Sequence, residues 1–275
     1  MNRRGERILL GVGVLMLLAF SLAPFVYMVV VSLSERPEVL GDDVPWRLTG
    51  DYYREVLTDE SRHLLDYLRN SVVISFAAAA GAVAVAAMAA YAITRLRMPG
   101  KIILLLGVLA VSMFPQVGLV GYLVKLINAL GWFNTWWGLI FPYMAWVLPL
   151  SLWILVSYFA QIPRDLDEAA LVDGCSHWGA LVRVLLPVAA PGVFSVFLLA
   201  FILAFNEFLF ALLLTSDHRA QTIPVGIAHF IGKHGQTPWG SIMAASVVTV
   251  VPVVILTLLF QRRIIGGLTQ GAVKG

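Results

Sequence analysis

Charge is what this chain has least of. Only 13% of its 275 residues are Asp, Glu, Lys or Arg, against 60% apolar residues, where a soluble domain has ~25% charged. So little charge cannot clothe a water-facing surface, which excludes a soluble enzyme or binding module. Cysteine is nearly absent as well: Cys175 stands alone. A single thiol forms no internal disulfide, and without partners it builds no metal centre. No basic tract suits a nucleic acid either.

The patterns of catalysis are also missing. The nearest approach to a phosphate loop, Gly226 to Gly232-Lys233, has one residue too many between its glycines. His234 then follows in place of a magnesium-binding hydroxyl. His63, His177, His218, His229 and His234 lack metal-ligand spacing, and no serine sits in a GxSxG turn. The expectation is no catalytic residue, no metal and no cofactor held by this chain.

Long apolar runs are what the chain does have. Six of them, at about 8–33, 71–94, 102–124, 138–159, 188–215 and 239–260, are long enough to cross ~30 Å of hydrocarbon with ~20 residues. The first follows Arg3, Arg4 and Arg7, as a signal peptide would. Its apolar stretch outruns the 7–15 residues of a signal core, so it reads as a retained span. The second, nearly all Ala, Gly and Val from 77 to 90, suits the interior of a tight bundle because small residues let helices approach. These runs predict an all-α integral membrane protein of six transmembrane helices in one domain, 1–275.

Lys and Arg near span ends set the orientation. One side carries eleven bases against five acids, +6; the other carries eight against ten, −2. The expectation is a multi-pass protein with both termini and the loop at 160–187 in the cytoplasm. The 34–70 segment, with a possible helix from Asp51 through Leu57, then faces outside.

The loop from 163 to 187 is more than a short connector. Pro163 suits a first helical position, and Asp165, Asp167 and Glu168 place negative charge at the positive helix end. Gly174 closes that helix and Ser176 caps the next. Trp178, Leu181, Val182 and Leu185 then recur at i, i+3, i+4 and i+7, an apolar stripe. Such a pair presents a knob to a partner, or else packs as a connector on its own protein. The other informative charge is Glu207, beside Asn206 in the fifth run. An ionised carboxylate is costly in lipid, so it either borders a watery route or ties its helix to a neighbour.

Four stretches go further. Glu168-Ala169-Ala170, three residues, Gly174, then Val184-x-Leu186-Pro187 resembles the EAA motif of bacterial ABC importer permeases. Three other stretches resemble the maltose-type carbohydrate permeases. They are Ala90-Tyr91-Ala92 through Arg95-Leu96-x-x-Pro99-Gly100, Asn206-Glu207-Phe208, and Gln261-Arg262-Arg263 through Gly267-Leu268-Thr269 to the end. Phe205 stands where that family more often has Trp, and Cys175 where Ala is commoner.

The resemblance covers essentially the whole chain and is closest to the second permease of trehalose/maltose uptake systems. It implies a type I ABC importer permease of the bacterial plasma (inner) membrane. This subunit would import a sugar by alternating access, pairing with a second permease, two ATPase subunits and an extracytoplasmic sugar-binding protein. ATP and magnesium would sit on the ATPases. Glu168, Ala169, Ala170, Asp173 and Gly174 would form the coupling helix, and Gln261, Arg262, Arg263 and Lys274 would touch the ATPase pair. The loop at about 216–238 would reach the binding protein. A secondary transporter would need an ion site and often inverted repeats, and a membrane assembly protein would leave the knob without purpose.

Overall fold

A computed structural model describes residues 3–35, 47–230 and 238–269. Its elements are α1 (Arg3–Ser32), α2 (Asp51–Thr58), α3 (Leu64–Arg95), α4 (Lys101–Ser112), α5 (Gln116–Ala129), α6 (Trp136–Phe159), α7 (Asp165–Val172), α8 (His177–Ala180), α9 (Leu186–Phe205), α10 (Leu209–Leu214), α11 (Ile223–Ala228) and α12 (Trp239–Thr269). The described residues contain no β-strand beyond an isolated bridge between Ser34 and Leu48. The protein is an all-helical membrane protein. Among the described residues, five helical stretches are long and apolar enough to cross a bilayer, and α4 with α5 forms a sixth apolar unit bent by 90°.

That bend falls inside the run expected as one span at 102–124, and Pro115 is its physical cause. Proline has no N–H and disfavours helical backbone at the residue before it. The chain turns at Met113 and Phe114 and restarts from Pro115 in an extended conformation (φ −66°, ψ 126°).

The residues fall into two compact units, Met1–Leu65 with Gly226–Pro252, and Asp66–Val225 with Val253–Gly275. In the first, Ser32 shares a 2.7 Å hydrogen bond with Tyr53. Glu55 accepts from Ser241 at 2.9 Å and pairs with Arg62, whose guanidinium lies 5.1 Å over the Phe230 ring. Residues 9–26 of α1 are exposed throughout. An apolar helix exposed all round belongs against lipid or another subunit.

The second unit is built on α3, α6 and α9. Ala78, Ala79, Ala82, Ala86 and Ala90 have no exposed surface, as the run of small residues on α3 predicts. A Cβ on Gly192 of α9 would stand 2.5 Å from the Tyr158 ring of α6, so glycine is what lets these helices touch. At the opposite end of α3 from Arg95, Asn70 donates to the carbonyls of His218 (2.8 Å) and Gln221 (3.0 Å) and accepts from the Trp136 indole (3.1 Å).

Two further boundaries differ from the sequence expectation. The apolar helix of the 163–187 loop does not end before the fifth span. α8 runs into a π-helical turn at Leu181–Leu185 and then into α9, one continuous stretch from His177 to Phe205. Leu186 N–H bonds back five residues to Leu181 O. Pro187 supplies a reason, because it removes a donor and crowds the Arg183 carbonyl four residues back, and a wider turn relieves this. The fifth run is itself broken: α9 stops at Phe205, and Asn206 and Glu207 precede the short α10.

Candidate coupling surface and membrane carboxylate

α7 starts at Asp165, two residues later than Pro163 suggested, with Arg164 O accepting from Asp167 N and Glu168 N at 3.0 Å. Its end follows a strict pattern. Gly174 N donates to Leu171 O (3.1 Å) and Cys175 N to Ala170 O (2.9 Å), with Gly174 left-handed at φ +87°. An added Cβ at Gly174 would meet nothing within 4 Å. Backbone conformation, rather than crowding inside this chain, is therefore what requires glycine there. Ser176 Oγ accepts from Gly179 N at 3.2 Å and starts α8.

The loop is bolted to the end of α3. Arg95 Nε lies 2.5 Å from Asp167 Oδ2, with both side chains about 5% exposed (5% and 6%). Arg95 also donates to Ile162 O at 2.9 Å, and Arg164 donates to Thr94 O at 3.1 Å. Tyr91 and His177 share a 3.4 Å hydrogen bond. Burial pushes the Asp167 carboxyl up, and Arg95 pulls it back only in part. The Ala90–Arg95 stretch and the EAA-like stretch, separate signals in the sequence, are thus one structural unit.

This placement sorts the residues singled out from sequence. Glu168, Ala169, Asp173 and Gly174 are exposed on the knob, whereas Ala170 is buried (6%) against its own chain, so it does not belong to the free surface. The expected stripe also divides. Leu181 and Leu185 face inward, while Trp178 (61%) and Val182 (41%) remain exposed, because the π turn rotates the face that a 3.6-residue period assumes. Val172 at the tip is 87% exposed, with Leu166 and Leu171 beside it. Asp167 and Arg95 were not among the expected site residues. The usable sign was that Asp167 shares a face with Ala170, three residues on. Gln261, Arg262 and Arg263 lie on α12, and Lys274 lies outside the described residues.

Glu207 is 4% exposed and does not sit within a helix. Its Oε1 accepts from Phe210 N (2.8 Å) and its Oε2 from Ala211 N (3.2 Å). The carboxylate thus satisfies two amides that the start of α10 leaves open, and their dipole favours its charge. Asn206 turns back, donating to Ile202 O at 2.8 Å, and is exposed.

The family model for "Binding-protein-dependent transport system inner membrane component" matches residues 72–269. The trehalose/maltose transport system permease protein MalG of Thermococcus litoralis is 52% identical over 98% of this chain and 98% of its own. The trehalose transport system permease protein SugB of Mycobacterium tuberculosis is 40% identical over 94% and 95%. Among solved structures, a bacterial ABC transporter involved in the import of the acidic polysaccharide alginate has a chain of the same fold. It matches at a TM-score of 0.78 and 20% identity, covering 95% of this chain and 98% of that one. A polytopic helical bundle with an anchored, apolar-tipped knob, matched end to end by such relatives, belongs to the inner membrane components of binding-protein-dependent transport systems, as a permease of the maltose/trehalose type.

Proposed function

We propose that this chain imports a disaccharide of the trehalose or maltose kind, as one of two permeases opened and closed by partner ATPases. The observation that carries this reading is the water-side knob. Val172, Leu166 and Leu171 of α7 expose apolar surface outside every candidate span, on a loop held by a buried ion pair. A rigid apolar tip outside the bilayer is a surface awaiting a partner. Fixed to α3 and continuous with α9, it would transmit a push from an ATPase cleft directly to two spans.

In this reading ATP and magnesium stay on the ATPases, and the knob and both termini are cytoplasmic, which the +6 against −2 charge asymmetry supports. The segment after Thr215 faces the binding protein on the other side. The trehalose/maltose naming of the 52% identical relative supports the cargo.

Vesicles reconstituted with both permeases and the ATPases test this. Labelled trehalose or maltose, presented with its binding protein, should accumulate only when ATP is supplied on the side where Cys175 reacts with an impermeant thiol reagent. Uptake driven by an ion gradient without ATP would overturn the reading.

A further inference from the structure

Beside the anchored loop lies a half-open cavity of about 270 Å³. Its walls come from the end of α3, the start of α4, the end of α6 and the residue ahead of α7. Arg95, Lys101 and Arg164 line one part, and Ile102, Leu105 and Val156 another. No acid lines it. Arg95 is occupied by Asp167 and the Ile162 carbonyl. Lys101 and Arg164 make no ion pair among the described residues, and Arg164 spends one nitrogen on Thr94 O. α4 adds to the positive field, for it begins on Gly100 with no side-chain cap, which leaves its first-turn amides open.

The cavity sits where the candidate spans end at Arg95 and Phe159, and span ends are where hydrocarbon gives way to headgroups. We propose that it binds the phosphate of an anionic glycerophospholipid. Lys101, Arg164 and the open end of α4 take the phosphate oxygens, and an acyl chain lies along Ile102, Leu105 and Val156. Surplus cations in a pocket that is apolar on its lipid side suit an anion carrying a hydrocarbon tail better than a free ion. Because Arg164 immediately precedes α7, the bound lipid stands against the base of the knob. The inference rests on span ends and charge, and holds whichever sugar is carried.

Native mass spectrometry of the complete detergent-purified complex tests it, with phosphatidylglycerol and phosphatidylcholine offered in turn. Phosphatidylglycerol should be retained about tenfold better, and Lys101→Ala with Arg164→Ala should lose that preference, while Lys125→Ala, which removes a cation that does not line the cavity, keeps it. Equal retention of the two lipids, or unchanged preference in the double variant, overturns the proposal. Displacement of the lipid by millimolar inorganic phosphate overturns the lipid assignment in favour of a free-phosphate site. Should the double variant fail to assemble, the lipid preference of the unmodified complex decides alone.

Discussion

Glu207→Leu is expected to destabilise the permease by about 2–6 kcal/mol, because Phe210 N and Ala211 N lose their acceptor in a buried site at ~1–3 kcal/mol each. Leucine has nearly the right size and no acceptor, so the loss is one of hydrogen bonding rather than packing. Glu207→Gln offers one carbonyl oxygen where the carboxylate offers two, so it should cost about half as much. If the carboxylate works as a helix cap, the glutamine variant retains most ATP-driven uptake in vesicles lacking any ion gradient. A carboxylate that carried protons would behave differently, since its charge must be neutralised once per cycle. Abolished uptake in Glu207→Gln, with normal assembly and thermal midpoint, would mean that the charge itself is required.

Arg95→Met should be comparably damaging, by about 3–5 kcal/mol, for an electrostatic reason. Among the described residues it removes the one cation paired with Asp167 and leaves a buried carboxylate with no other partner for its oxygens. Arg95→Met combined with Asp167→Leu should recover much of the loss, because an apolar pair replaces the lone charge. Thermal unfolding of the single and double variants in detergent measures both terms. A double variant as unstable as Arg95→Met alone would assign the cost to lost packing of the arginine stem.

How far the sequence could lead is clear from these residues. Hydrophobic run length located the membrane helices, since each must satisfy its backbone within itself in lipid. The signals of α7 were local and legible: acids in the first turn, and a glycine whose φ of +87° closes the helix. The Arg95–Asp167 pair was not legible, because it joins positions 72 apart and each charge alone looks like an ordinary loop residue.

Glu207 carries a further signal in the sequence. Helix-interior amides are already bonded, so a lone carboxylate in an apolar run finds free N–H groups only where a helix starts. That argument predicts the break after Phe205. The π turn depends on how Pro187 acts on the backbone of the turn before it, which apolar periodicity does not register.

The proposed ATPase cover over the tip of the 163–187 loop is open to direct measurement. The direct measurement attaches a photoreactive label to the thiol of Val172→Cys in a Cys175→Ser background and illuminates the assembled complex. Val172 is 87% exposed in this chain, so the label reaches whatever lies against the tip. The account predicts a crosslinked product containing the ATPase subunit. Products confined to lipid, to the second permease or to this chain itself would contradict it.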